Sequence, residues 1–115
     1  MRKAKREGSQ SEAMKKKWKR RIMLEKDFAE PCARWMAQRL ENLVDHMKYG
    51  HAAIAYYKQD GTFQLKTGTL IYYEQDFRKP YNPMKIEGAV AYWDVEQQGW
   101  RTFQMENFLE WKPIV

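Results

Sequence analysis

Residues 56–73 read YYKQDGTFQLKTGTLIYY, and they set the fold class of the whole chain. Asp60-Gly61 is a dipeptide suited to the positive φ angles of a tight hairpin turn. It separates two runs of period two: HAAIAYYK (51–58) predicts one strand, and FQLKTGTLIYY (63–73) predicts its return. Gly68, in the middle of the return strand, predicts a bulge or sharp bend, the device by which one strand serves two sheets of a small barrel. Beyond the hairpin, EQDFRKPYNPMKIEG (74–88) carries two prolines and reads as a long loop. AVAYWDV, the turn EQQG and WRTF form a second hairpin. QMEN is a single helical turn with Asn107 as its cap, and FLEWKPIV is a last strand ended by Pro113.

Before the hairpin the period is helical. In DFAEPCARWMAQRLENLVDHMKYG (27–50), Phe28, Cys32, Trp35, Met36, Leu40, Leu43, Val44 and Met47 recur at spacings of three and four, which predicts an amphipathic helix over 28–48. Asp27-x-x-Glu30 resembles a capping box, Pro31 is tolerated only in a first turn, and Gly50 supplies a left-handed terminus. Further upstream, Met14, Trp18 and Ile22 recur every four residues among lysines and arginines, a basic amphipathic helix opened by Ser11. MRKAKREGSQ (1–10) has no apolar period and reads as disordered, with Gly8-Ser9-Gln10 as a flexible joint.

The composition narrows the class. A chain of 115 residues with 43% apolar and 15% aromatic residues suits one globular domain. A single cysteine, Cys32, permits no intrachain disulfide and suits a reducing cytoplasm. No apolar run has the length of a membrane span or the pattern of a signal peptide, so a soluble cytoplasmic protein is expected. The charge is divided unevenly. Residues 1–26 hold eleven Lys/Arg against three Glu, a balance of +8, whereas residues 27–115 hold ten against twelve acids, a balance of −2. The division predicts a basic arm and helix over 1–26 joined to a near-neutral single domain over 27–115.

Five strands, a bend in the second and a helical turn before the last fit an α+β protein whose helix 28–48 precedes a five-stranded SH3/Sm-like barrel over 51–115. Asp60-Gly61-Thr62, Gly68-Thr69-Leu70, Tyr92-Trp93-Asp94, Gly99-Trp100-Arg101, Phe103 and Asn107-Phe108-Leu109 carry a further resemblance. Over about residues 52–111 the chain resembles the WYL-like small-protein family of Sm-type SH3 barrels. The resemblance implies the barrel and brings no settled biochemical activity. Larger WYL regulators join such a barrel to a helix-turn-helix, which has no counterpart here.

Lys15, Lys16, Lys17, Lys19, Arg20 and Arg21 are the candidate phosphate contacts, since clustered cations bind polyanions by counterion release. Tyr56-Tyr57, Tyr72-Tyr73 and Tyr92-Trp93 are aromatic doublets on three expected strands, each able to turn one ring inward and one outward. Pairing Ile54 with Tyr56, Ile71 with Tyr73 and Trp93 with Val95 as inward residues leaves Tyr57, Tyr72 and Tyr92 outward, as a platform for stacked bases. The alternative is that the rings pack beneath the long helix. Arg101 is either an anion ligand or the partner of Asp94 or Glu96 across the second hairpin, and Trp100 and Phe103 fall on opposite faces of their strand. His46, His51 and Cys32 lack the spacing of a metal site, and no nucleophile set or phosphate loop is legible.

The expectation is therefore a non-catalytic protein without a cofactor or metal that binds DNA or RNA. The alternative is a protein-interaction or regulatory adaptor, docking through helix 28–48 or the Met14/Trp18/Ile22 stripe. A phage or mobile-element accessory or virion protein falls in that class.

Overall fold

A computed structural model describes residues 2–82 and 88–114, with the side chains of the first helix described from Glu12 on. Helices α1 (Arg2–Lys26) and α2 (Glu30–Met47) come first, followed by strands β1 (His51–Tyr57) and β2 (Phe63–Thr69). A short helix α3 (Tyr73–Phe77) leads towards β3 (Ala89–Asp94) and β4 (Gly99–Gln104), and a 3-10 turn (Met105–Asn107) joins β4 to β5 (Phe108–Ile114). Part of the loop expected over 74–88, residues 83–87, lies outside the described residues.

The N-terminal segment departs from the sequence expectation. α1 runs unbroken through Gly8-Ser9-Gln10, where the sequence reads as a disordered joint. Lysine, arginine and alanine are good helix formers, and one interior glycine costs only about 1 kcal/mol. The helix is also anchored further along: Met14, Trp18 and Ile22 are buried in the same apolar cluster as the sheet residues. α1 packs on α2 in antiparallel sense, with Lys19 Nζ 3.4 Å from Glu30 and Lys15 Nζ 3.0 Å from Gln38.

Asp27 ends α1 instead of capping α2. Its φ of 55° places it in the left-handed region, which aspartate tolerates better than most residues, and its N–H donates to Met23 O. α2 starts at Ala29 without a side-chain cap, and Pro31 sits in the first turn, as its missing N–H requires. The buried stripe of α2 is Ala33, Met36, Ala37, Leu40, Leu43, Val44 and Met47. It is rotated from the predicted one: Trp35 is 51% exposed, and Phe28 and Cys32 are also outside. Two small residues four apart, Ala33 and Ala37, belong to this buried stripe, and the large rings beside them face away. Gly50 does not adopt the left-handed conformation; its N–H donates to His46 O, and a Cβ there would stand 3.3 Å from His46 Nε2.

The first hairpin forms as read. Lys58 N–H donates to Thr62 O, Gly61 takes φ 89°, and Asp60 Oδ1 accepts from Thr62 N–H. β1 pairs with β2 along its length and with β5 on its other side, with a bulge at Ala55/Tyr56. β2 pairs with β3 only at Gly68↔Asp94 and Thr69↔Trp93, and β3 pairs with β4 throughout. The antiparallel order β4-β3-β2-β1-β5 is an open sheet. β4 and β5 are its two edges, so the ladder is not closed into the expected barrel. β2 also stops at Thr69, four residues before the predicted end, and Tyr73 starts α3. Edge position explains why Pro113 lies within β5, opposite Ala52, and not at its end.

α2 is fastened to edge strand β5 by reciprocal bonds. Arg39 donates to Glu110 Oε1 through Nε at 2.9 Å and also to Trp111 O at 2.8 Å, and Trp111 Nε1 donates back to Arg39 O at 3.0 Å. The Arg39 guanidinium lies 4.9 Å from the Trp111 ring centroid, and the His46 ring packs against the same indole. For Glu110, burial raises the carboxyl pKa, but the Trp111 N–H and the Arg39 bonds outweigh it, and the net shift is below the usual 4.5.

Two measurements check this architecture. Trp18→Ala removes a ring that is 2% exposed, and it should lower the unfolding free energy by about 3–5 kcal/mol in a urea titration. An unchanged midpoint would mean that α1 is not part of the core. The depressed Glu110 contributes stability that is present above its unfolded pKa and lost as pH falls through the folded value. Thermal midpoints followed downward from about pH 6 should therefore fall less in Glu110→Gln than in the parent below about pH 4.5. Parallel curves would remove Glu110 from the acid response.

Candidate nucleic-acid interface

The six candidate phosphate contacts of α1 separate by helical geometry. At about 100° per residue, Lys16 and Arg20 fall opposite Trp18, with Lys17 beside them. Lys16, Lys17 and Arg20 are exposed and have no ion pair among the described residues. They line an open groove of about 570 Å³ with Leu24, Gly88 and Met105. Lys15 and Lys19 lie on the α2 side, against Glu12 at 3.0 Å and Glu30 at 3.4 Å. Pairs of this kind near the surface contribute only about 0–1 kcal/mol, so they hold these lysines loosely.

Arg21 is committed to the fold. Its Nε donates to Glu106 Oε1 at 2.9 Å, and its Nη2 donates to Glu106 Oε2 at 3.3 Å and to Gln104 Oε1 at 3.1 Å. The forked geometry is the strong form of this bond, and it fastens α1 to the turn between the two edge strands. Gly88 lies beneath the guanidinium with φ 70°, and a Cβ there would stand 2.2 Å from Arg21 Cζ. The backbone conformation favours glycine, and any side chain there would displace the guanidinium.

The aromatic doublets are not a shared platform. Tyr57 and Tyr72 are outward, each 41% exposed, but Tyr92 is fully buried. The inward set of β3 is Val90, Tyr92 and Asp94, so the alternation counted from Val95 is displaced by one residue. Tyr92 and Tyr56 share a hydroxyl–hydroxyl hydrogen bond of 2.6 Å, with Phe103 stacked on Tyr56 at 4.8 Å. Burial first, and the bond to Tyr56 second, push the Tyr92 phenol pKa up.

The outward member of that doublet, half-buried Trp93, touches Tyr72 at 5.8 Å and Trp100 at 5.5 Å. Tyr73 and Phe77 of α3 continue this group, and Trp100 Nε1 donates to Asp76 Oδ2 at 2.9 Å. Tyr81 ties the loop to the sheet: its hydroxyl accepts the Ala91 N–H at 3.1 Å, and burial raises its pKa to about 12. Sequence reading missed this second aromatic group, because Tyr72-Tyr73 read as strand and Phe77 and Tyr81 as loop. Tyr57 stands apart from it, edge-on to Phe63 at 6.1 Å.

Arg101 takes the pairing role. Asp94 is fully buried, and its Oδ2 has Arg101 Nε at 3.0 Å and Lys66 Nζ at 3.7 Å, without an aligned hydrogen bond. Its Oδ1 accepts the Glu96 and Gln97 N–H groups, which closes the second turn. A carboxylate out of water needs such partners, so Arg101 is structural through Nε. Arg101 also lines a pocket of about 390 Å³ together with Tyr57, Lys58 and Gln64. Of the predicted ligand residues, this pocket joins Tyr57 to Arg101, away from Tyr72 and Tyr92.

His46 Nε2 lies 2.8 Å from His51 O, Cys32 is exposed, and no three potential metal ligands cluster among the described residues. Asn107 makes no capping bond to the 3-10 turn, contrary to expectation; it lies on the wall of the same pocket. No described helix is long and apolar enough to cross a membrane.

With this geometry in place, a family model described as WYL_2, with an Sm-like SH3 β-barrel fold, matches residues 40–109, more than half of the chain. The chain belongs to the WYL_2 family. Neither the curated proteins nor the solved structures give a significant match. The WYL_2 match begins at Leu40, within the buried stripe of α2, and ends on the second residue of β5. The positions that carry the resemblance have local tasks: Asp60-Gly61 turns the first hairpin, Gly68 lets Tyr92 and Ile54 close over it, and Asp94 closes the second turn.

The reassignment of the doublets has a direct check. Tyr92→Ser should cost about 3–5 kcal/mol of stability, as for removal of a large buried side chain. Tyr57→Ser should stay within about 1 kcal/mol of the parent. Equal losses in urea titrations of the two variants would refute the inward assignment of Tyr92.

Proposed function

We propose that this WYL_2 protein is a non-catalytic nucleic-acid-binding protein that holds the phosphate backbone on the outer face of α1. One observation carries the reading: Lys16, Lys17 and Arg20 are all exposed and line one groove along α1. A helix fixed to the core presents its cations without the ordering cost that a free arm has. Among the described residues, the groove they line contains a single acid, Glu25, and its local charge favours a polyanion. An adaptor role loses one of its two docking faces, because Met14, Trp18 and Ile22 are buried in the core.

The reading is tested by the salt dependence of binding to a duplex and to a single-stranded oligonucleotide. Each phosphate contact contributes about −0.9 to the slope of log K against log salt on duplex DNA, and about −0.7 on a single strand. Replacing Lys16, Lys17 and Arg20 by Ala should flatten the slope by roughly two to three. An unchanged slope, or no binding by the parent protein at low salt, overturns the proposal.

A further inference from the structure

The pocket that joins Tyr57 to Arg101 has a composition that phosphate binding does not explain. Four carboxamides line it: Gln59 from the first turn, Gln64 from β2, and Gln104 and Asn107 from the junction between the edge strands. Gln59 and Asn107 make no side-chain hydrogen bond among the described residues. Gln64 donates one N–H to Phe63 O at 3.1 Å, which leaves its carbonyl oxygen and its second N–H. Gln104 accepts from Arg21 through Oε1, which leaves its amide donors. A carboxamide offers a donor and an acceptor side by side in one plane, the pattern displayed along the edge of a nucleobase. Tyr56, stacked on Phe103, contributes apolar surface to the same pocket, and the Tyr57 ring is available for stacking. Lys58 and Arg101, the latter paired through Nε with Asp94, are the cations of the lining.

We infer that this pocket takes one unpaired nucleotide and discriminates among bases through the carboxamides. The inference rests on the nucleic-acid reading for its polymeric ligand and adds the ligand class, a single-stranded segment with an accessible base. Bases within a duplex have their pairing edges occupied and their faces stacked, so they cannot enter. A volume of about 390 Å³ is at the lower end of ligand pockets and suits one nucleotide rather than a run of them. An acidic peptide would call for a cation-rich site, whereas here neutral amides outnumber the two cations.

The test is an NMR titration of the full chain with AMP, GMP, CMP and UMP, and with inorganic phosphate as the control. Side-chain amide signals of Gln59, Gln64 and Asn107 should move with the nucleotides and not with phosphate, and the four affinities should span at least about fivefold. Tyr57→Ser should weaken nucleotide binding by about fivefold or more while the folded spectrum is retained. Gln59→Ala should narrow the spread among the four bases. Equal affinity for all four nucleotides, shifts reproduced by phosphate alone, or a Tyr57→Ser variant that binds like the parent overturns the inference.

The arms separate it from the proposal for α1. Oligonucleotide binding with silent pocket signals removes the pocket and leaves the α1 interface. Pocket shifts with the mononucleotides, but no oligonucleotide bound at low salt, remove the α1 interface and leave the pocket.

Discussion

Gly68 pairs with Ala52 of β1 on one side and with Asp94 of β3 on the other, and the arrangement of the sheet depends on the absence of a side chain there. A Cβ at this position would lie 2.7 Å from Tyr92 Cδ2 and 2.9 Å from Ile54 Cδ1, inside van der Waals contact with two fully buried side chains. One residue further, Thr69 is also fully buried, and its hydroxyl lies 2.8 Å from Gly50 O and 3.2 Å from Met47 O and accepts from Ile71 N–H. Leu70 N–H donates to Met47 O as well. The carbonyls left unpaired at the end of α2 are thus satisfied by the strand that crosses below them. These contacts fix α2 against the sheet and end β2 at the same point.

That coupling explains where period-two reading fails. TGTLIYY continues the alternation of a strand, and nothing local in it signals a stop. The chain leaves the sheet because Thr69 and Leu70 bond to α2, a contact between segments some twenty residues apart in sequence. The inward assignment of Tyr92 depends on a similar remote fact: its hydroxyl meets Tyr56 on β1, and Asp94 below it is buried with Arg101 and Lys66 as partners. Counting an aspartate as outward is reasonable from sequence, and it moves every ring of the strand to the wrong face. The elements stabilised by local chemistry were legible: the Asp60-Gly61 turn, the second hairpin, and the core of α2 around Leu40 and Val44.

The N-terminal helix shows the same limit in the opposite direction. A stripe of Met14, Trp18 and Ile22 among lysines has the appearance of a surface helix with a narrow apolar edge. It is buried in one cluster with Ala33 and Ala37, whose small size weakens their signal in the periodicity of α2. With the two alanines on the inner face of α2, Trp18 is buried and Trp35 is turned outward. Once α1 is docked, its basic residues fall into groups with different work. Arg21 faces the edge-strand junction, Lys15 and Lys19 face α2, and Lys16, Lys17 and Arg20 face solvent.

Arg21 links these two levels of organisation. Its forked bond to Glu106 fastens α1 to the turn between the edge strands, and its third bond engages Gln104, a wall residue of the pocket beside Tyr57. Accepting through Oε1 fixes the orientation of the Gln104 amide and directs its N–H donors away from the guanidinium. The cation is thereby placed between the exposed basic face of α1, whose groove it also lines, and the carboxamides of the pocket. The two residues are 83 positions apart, so no spacing in the chain reveals their contact. A basic residue that sequence alone assigns to phosphate binding instead holds the helix that carries the exposed cations, and it sets the orientation of a carboxamide in the pocket wall.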